Sequence, residues 1–270
     1  MSYEAQKVGT VKELGEIYRT DDPLDEQLKS FARVGITNLA TPEEVAQIRL
    51  AGITENWSRT SVAPIAIKGG KTILLRSSPI MNPLMAASAV KAHRNAQYLQ
   101  LGKEFYEVAD EIAKSQLEMA PEDREAIALS QTGDFPLIVE MDETRFLLGK
   151  TARPYFEKFV SGGKEGKIQF YNLEGDSKSS ATVNYLWFFD PRYESSLDAR
   201  SRYLYVDGSA FGVLRTGVAS AQKNGYSLTE IGNANSEVVP VVLRNAGVSA
   251  LEGMLARPLT TALLEELRTK

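Results

Sequence analysis

The strongest structural signal in the sequence is a pair of apolar segments on either side of two glycines. The segments read SVAPIAIK and KTILLRSS, and Gly69 and Gly70 stand between them. Glycine accepts the positive φ of a tight hairpin turn, and segments rich in β-branched residues favour strands. The pattern predicts a β-hairpin. Because Pro64 lacks the amide hydrogen that a central strand uses, we expect the first strand to lie at a sheet edge.

A long helix is predicted to follow the hairpin, from Pro83 to Met119, with Asn82 as its N-cap. Apolar residues from Tyr98 to Ile112 show the alternating spacing of three and four that is typical of a packed helix seam. Gly102 would be the place where this helix bends, because glycine is a poor helix former. A shorter helix is predicted from Pro121 to Leu129.

Residues 1–58 are polar and are predicted to form a helical arm. Thr10–Arg19 and Leu24–Val34 are amphipathic helix candidates. A third helix should begin after Thr41, because the order Thr-Pro-Glu-Glu supplies an N-cap hydroxyl, a first-turn proline and a glutamate that closes a capping box. This helix is expected to end near Gly52.

The remainder of the chain is predicted to be rich in strands, and ten of the 23 aromatic residues lie between Phe170 and Phe211. We expect a strand at Leu137–Met141 and a helix at Thr151–Val160. The further predicted elements are a hairpin joining KIQFYNL to ATVNYLWFF through Asp176–Ser180, a hairpin of Tyr203–Val206 with Phe211–Leu214, a strand at Val238–Leu243, and helices at Val248–Leu255 and Leu259–Arg268.

Helices that come before antiparallel strands predict an α+β fold. The sequence divides into three segments on this basis. Residues 1–58 form the N-terminal helical arm, residues 59–131 the basic hairpin and long helix, and residues 132–270 a mostly antiparallel β-rich body with C-terminal helices.

Charge is distributed unevenly along a chain whose net charge is −4. The stretch from Arg59 to Lys103 has seven basic residues and no acid, whereas Glu104–Phe146 has twelve acids and three bases. A helix dipole favours acids near the N-terminus and bases near the C-terminus, so the reversed order indicates a binding surface rather than helix stabilisation. We predict that the seven bases contact nucleic-acid phosphates: Arg59, Lys68, Lys71, Arg76, Lys91, Arg94 and Lys103.

The same charges allow other partners. The basic residues could meet an acidic protein surface, the acidic stretch of their own chain, or that of a neighbouring copy. Proteins that bind nucleic acid alone are usually basic overall, so the acidic total favours a subunit of a larger assembly, either a homo-oligomer or a multisubunit complex. The order of arm, hairpin, long helix and β-rich body also resembles the shell proteins of tailed phages and encapsulins. That resemblance implies a self-assembling structural protein.

A second group of basic and aromatic residues lies on the predicted C-terminal strands. Aromatic rings with a charged rim can stack nucleic-acid bases. Alternate residues of an antiparallel strand must also enter a core, and core packing is the favoured interpretation for Phe170, Tyr185, Trp187 and Phe189. The group comprises Lys164, Lys167, Phe170, Tyr171, Tyr185, Trp187, Tyr203 and Tyr205.

Catalytic chemistry has less support. The chain has no cysteine and one histidine, His93, which argues against thiolate nucleophiles and multi-histidine metal centres. Glu165-Gly166-Lys167 resembles the acid-x-lysine element of metal-dependent nucleases. Four carboxylates that could hold Mg²⁺ cluster around one predicted strand: Asp134, Glu140, Asp142 and Glu143. A Mg²⁺-dependent hydrolase is therefore a third interpretation, although we expect binding rather than catalysis and no cofactor.

No run of about 18 apolar residues is present to span a bilayer. The N-terminal sequence also lacks the basic, apolar and small-residue order of a signal peptide. We therefore expect a cytoplasmic protein without a membrane partner.

Overall fold

The computed structural model describes residues 4–54, 56–76, 79–160, 166–189, 196–205 and 208–215. Two mostly antiparallel sheets and the helices packed on them form this part of the chain. The α+β fold class and the β-rich body are therefore confirmed. The strands are β1 (Gln6–Val11), β2 (Gly15–Thr20), β3 (Ser58–Arg59), β4 (Ala63–Ala66), β5 (Ile73–Leu75), β6 (Leu99–Gly102), β7 (Ala126–Ala128), β8 (Asp134–Leu137), β9 (Ile168–Tyr171), β10 (Ser180–Val183), β11 (Trp187–Phe188), β12 (Ser196–Asp198) and β13 (Ala210–Leu214).

The helices cover the sheets in two groups. They are α1 (Leu24–Arg33), α2 (Pro42–Leu50), α3 (Pro83–Arg94), α4 (Lys103–Ser115), α5 (Asp142–Leu148) and α6 (Ala152–Phe159), with short 3-10 turns at Pro79–Met81, Pro121–Asp123 and Gly149–Thr151. The strand order is β1-β2-β13-β3-β11-β12-β9-β8 in the larger sheet and β6-β10-β4-β5-β7 in the smaller. Strands from all three predicted segments share these sheets, and the division into domains stays a prediction.

The predicted hairpin is confirmed, because β4 and β5 pair antiparallel with Ile65 opposite Ile73. Gly69 supplies the positive φ of its turn, at 76°. The edge position of β4 is wrong, because β4 lies between β10 and β5. The carbonyl of Pro64 accepts from the amide of Asn184 at 3.1 Å. In an antiparallel strand the N–H and C=O of one residue point to the same side, so the amide hydrogen that Pro64 lacks would also point towards Asn184. Asn184 lies just past the end of β10, and the proline therefore removes one hydrogen bond at the end of the β4–β10 pairing.

The predicted helix over Pro83–Met119 is wrong, because α3 ends at Arg94 and α4 begins only at Lys103. Between them Ala96 adopts a φ of 55°, and the chain then forms β6, which pairs with β10. Gly102 is the N-cap of α4 rather than a bend. The apolar spacing that suggested one continuous seam therefore belongs to a strand and a separate helix.

Two of the three helices predicted in the N-terminal segment are confirmed, and one is wrong. α1 is confirmed, and α2 has the complete capping box between Thr41 and Glu44. Thr10–Arg19 is not a helix, because β1 and β2 form a hairpin there. Val11, Leu14 and Ile17 have helical spacing and are buried, but Gly15 takes a φ of 114° that turns the chain back on itself.

Other strand pairings also differ from the predictions. β9 and β10 belong to different sheets and form no hairpin, and β13 pairs with β2 and β3 instead of with Tyr203–Val206. The segment Pro121–Leu129 contains a 3-10 turn and β7 rather than a helix. The strand predicted at Leu137–Met141 lies earlier, as β8, whereas the helix at Thr151–Val160 is confirmed as α6. The elements predicted after residue 237 lie outside the described residues.

Two apolar cores hold the sheets. Phe146 of α5 and Tyr155 of α6 pack with Phe188 of the larger sheet in the first core. Phe105 of α4 packs with Val183 of the smaller sheet in the second core, together with residues of α1 and α3. The segment after β12 lies against the residues just before β6, where the hydroxyl of Tyr98 donates to the carbonyl of Arg200, and this contact positions the candidate site.

Candidate nucleic-acid interface

Arg59 is not available to a nucleic acid. Its side chain is fully buried, and its guanidinium lies 4.7 Å from the ring centre of Trp187. The guanidinium donates to the carbonyl oxygens of Asp22 at 2.5 Å, Tyr203 at 2.9 Å and Gly208 at 3.3 Å, and to Oε1 of Gln27 at 2.7 Å. The prediction of a phosphate contact is wrong for Arg59, because a buried side chain with these acceptors serves the core.

Arg76 faces the acidic stretch of its own chain. It donates to the carbonyl oxygens of Arg124 at 2.6 Å and Glu122 at 3.0 Å, and its guanidinium stacks 4.3 Å from the ring centre of Phe146. Burial lowers the pKa of Arg76, and the nearby carboxylates, first Glu125, oppose that effect. Arg76 was predicted to contact a phosphate, but in the structure it contacts the acidic stretch of its own chain, which was the intramolecular alternative.

The five remaining predicted bases are exposed, but they lie at two ends of the smaller sheet. Lys68 and Lys103 lie at the same end, because the strand registers place both beside the Asp176–Ser180 turn, and Lys71 lies across the hairpin turn from Lys68. Lys91 and Arg94 come before the opposite end of β6. Four residues of extended strand separate the ends by about 13 Å. The five bases therefore do not form one continuous surface, and their contact with nucleic acid stays a prediction.

The hairpin end has mixed charge. Lys103 is paired with Glu107 at 2.5 Å, and the exposed acids Glu174 and Asp176 lie in the neighbouring turn with Lys178. A polyanion approaching this end would meet carboxylates as well as ammonium groups. This arrangement favours the opposite end of β6 as the more strongly basic surface.

At that opposite end, side chains form hydrogen bonds with the backbone of the segment Ala199–Leu204. Nδ2 of Asn184 donates to the carbonyls of Ala199 at 2.6 Å and Ser201 at 3.1 Å, and the hydroxyl of Tyr98 donates to the carbonyl of Arg200 at 2.6 Å. The carboxylate of Asp198 accepts from the amide of Arg200 at 2.6 Å and from the hydroxyl of Ser201 at 2.5 Å. The first half of the segment is therefore anchored through its backbone.

His93 anchors the second half. The amide of Leu204 donates to Nδ1 of His93 at 3.4 Å, and the carbonyl of Leu204 accepts from the amide of Leu24 at 3.1 Å. Burial, together with the positive charges of Arg202 and Arg59, lowers the pKa of His93 to about 4. The imidazole is therefore neutral near pH 7 and keeps Nδ1 free to accept.

The anchored segment presents two arginine–tyrosine stacks. The guanidinium of Arg200 lies 4.8 Å from the ring centre of Tyr171, and that of Arg202 lies 5.2 Å from the ring centre of Tyr98. Arg202 also donates to the carbonyl of Ala96, two residues after Arg94. Tyr203 follows directly and is 50% exposed. We name this group the arginine–tyrosine surface, and it consists of Tyr98, Tyr171, Arg200, Arg202 and Tyr203.

The charge of the arginine–tyrosine surface is only partly neutralised. Arg200 pairs with Asp134 at 3.2 Å, whereas Arg202 and Arg94 form no ion pair within the described part of the chain. Asp198 lies close by and keeps its negative charge while its carboxylate accepts hydrogen bonds from the anchored segment, and burial, Asp198 and Asp176 all raise the pKa of Tyr98. Arg202, whose guanidinium lies beside the ring of Tyr98 without an ion pair among the described residues, suits an anionic ligand with planar groups.

The aromatic prediction is largely confirmed. Phe170, Tyr185 and Trp187 are fully buried in the core, and Phe189 is half-buried. Tyr203, which the core prediction did not include, is exposed. Arg200 and Arg202 were missed in the sequence, because their stacking partners Tyr98 and Tyr171 lie far along the chain.

The structure does not bring the four predicted metal-binding carboxylates together. Asp134 pairs with Arg200, Glu140 with Arg153 at 3.1 Å, and Asp142 with Arg124 at 3.4 Å. Glu143 is buried and accepts from the amide and hydroxyl of Ser130. Within the described ranges, no three histidine, aspartate or glutamate side chains group as metal ligands would. Glu165 lies outside the described residues.

Comparison with known proteins assigns no family. No family model matches the chain, and no curated protein matches it. One similar solved structure is described as "Accommodation of massive sequence variation in Nanoarchaeota by the C-type lectin fold". It has 15% sequence identity and a TM-score of 0.48, over 78% of this chain and 98% of that chain. At this level the likeness identifies neither a shared fold nor a shared function.

The helices in the described ranges are too short or too polar to cross a bilayer.

Proposed function

We propose that this protein is a non-enzymatic nucleic-acid-binding subunit of a larger assembly, and that the arginine–tyrosine surface is its binding site. The observation that carries the proposal is an anchored segment that exposes Arg200, Arg202 and Tyr203 together. Lys91 and Arg94 extend the basic surface along α3. The site thus keeps two of the predicted bases and adds two arginines.

Pre-organisation supports binding at this place. Much of the backbone of Ala199–Leu204 already has hydrogen-bond partners, so a ligand that binds the exposed side chains need not order this backbone as well. Arginine is well suited to phosphate, because its planar group can donate two parallel hydrogen bonds. The acidic net charge favours a role within an assembly, whose other subunits would supply further positive charge.

The test is salt-dependent binding to a labelled oligonucleotide. Two to four phosphate contacts predict a slope of roughly −1.5 to −3.5 in a plot of log affinity against log salt. Arg202→Ala should weaken binding and make the slope shallower by roughly 0.7 to 0.9. Arg153→Ala is the matched control, because it removes the same charge from an exposed arginine of α6 outside the site. Lys68→Ala with Lys71→Ala tests the hairpin end separately.

Absence of binding at low salt would refute the proposal, as would equal losses in Arg202→Ala and Arg153→Ala. The self-assembly alternative rested on an arm, a projecting hairpin and a long helix. The structure instead places the hairpin inside a sheet and has separate α3 and α4. Size exclusion with the ratio of absorbance at 260 and 280 nm separates the two functions. A large particle without nucleic acid would favour assembly.

A further inference from the structure

Tyr203 differs from the other two tyrosines of the arginine–tyrosine surface in its exposure and contacts. Its ring is 50% exposed, and within the described residues it makes no stacking contact with another ring or guanidinium. Tyr98 and Tyr171 differ, since each is half-buried and has an arginine over its face. Tyr203 therefore offers an aromatic face that the fold itself does not use.

The backbone of Tyr203 is nevertheless fixed. Its carbonyl accepts from Nη2 of the buried Arg59 at 2.9 Å, and both backbone groups of the next residue, Leu204, are hydrogen-bonded. A tyrosine has two side-chain torsions, so a ring on a fixed backbone loses little freedom when it is covered. An exposed ring in this setting suits a planar partner better than a flexible chain.

Resting on the proposed function, we infer that the arginine–tyrosine surface binds single-stranded nucleic acid, with a base stacked on the ring of Tyr203. A single strand exposes base faces that a duplex hides inside its stack, and aromatic side chains bind such faces with little sequence preference. Arg202 on the adjoining residue, with Arg94 close to its acceptor Ala96, supplies charge for the flanking phosphates. The surface thus combines an exposed aromatic ring with the cation of the adjoining residue.

The experiment compares a labelled oligo-dT strand with a dA·dT duplex of the same length by fluorescence anisotropy. Tyr203→Ala should weaken binding of the single strand by roughly 5- to 100-fold and leave duplex binding within about twofold. Tyr203→Phe should recover most of that loss because it keeps the ring, whereas Tyr203→Leu should not. Leu117→Ala is the control, because it removes an exposed apolar side chain outside the surface.

The outcomes separate this inference from the proposed function. If Arg202→Ala weakens binding but Tyr203→Ala has the same effect on single strand and duplex, the stacking inference is overturned and the nucleic-acid function stands. Recovery by leucine as well as by phenylalanine would also overturn it, because apolar bulk and not stacking would then be the cause. If neither form of DNA binds at low salt, both proposals fail.

Discussion

His93 should make the folded state sensitive to mild acid. The side chain is 2% exposed, and burial together with two nearby arginine charges lowers its pKa from 6.5 to about 4 in the folded protein. Between these values the unfolded chain binds a proton that the folded chain does not. The free energy of unfolding is therefore unaffected by His93 well above pH 6.5 and decreases as the pH falls from 6.5 towards 4.

The size of the loss follows from the two pKa values. Using 6.5 and about 4, linkage predicts that His93 lowers the free energy of unfolding by about 2 kcal/mol between pH 7 and pH 5. The full difference, about 3 kcal/mol, is reached below pH 4. The charged groups that shift the pKa of His93 are Arg202 and Arg59, and both lower it. No carboxylate is among these groups to raise the pKa and reduce the loss of stability in acid.

The assay is urea unfolding at a series of pH values for the native sequence and for His93→Asn. Asparagine keeps an acceptor close to the position of Nδ1 for the amide of Leu204 but does not titrate. The variant is expected to be less stable at pH 7, because its smaller side chain leaves a void. Its stability should then fall with acid by about 2 kcal/mol less than that of the native sequence between pH 7 and pH 5. Parallel pH profiles would refute the reasoning, since carboxylates titrate equally in both proteins.

Two further predictions concern stability and use the same unfolding assay. Thr41→Ala should cost about 1 kcal/mol because it removes the capping hydroxyl of α2, whereas Thr41→Ser should retain most of that amount; equal losses would contradict the capping role. Arg59→Met should cost more than about 3 kcal/mol because buried acceptors lose their donor, and Arg59→Lys should recover only part; a near-neutral Arg59→Met would contradict it.

Some residues of the candidate site could be predicted from the sequence. The exposed bases Lys91 and Arg94 were predicted as contacts, and Phe170 and Trp187 were expected in the core. The burial of Arg59 was not predictable, because the acceptors that satisfy it come from Asp22, Tyr203 and Gly208. A local charge pattern cannot show whether a cation meets solvent or distant carbonyl groups of its own chain.

Sequence alone determined the features whose causes lie within a few residues. The capping box of α2 joins Thr41 to Glu44, and the β4–β5 turn needs the positive φ that Gly69 accepts. Neither depends on the rest of the molecule, because a helix cap and a tight turn are set by adjacent backbone and side-chain groups.

Tertiary structure alone decided which of two compatible local patterns formed. Tyr98–Ile112 has helical spacing, yet pairing with β10 takes Leu99–Gly102 into a sheet after the positive φ of Ala96. The arginine–tyrosine surface likewise exists only because the fold brings Tyr98 and Tyr171 beneath Arg202 and Arg200. Strand pairing and burial are free energies shared between distant residues, so neither partner's own sequence contains them.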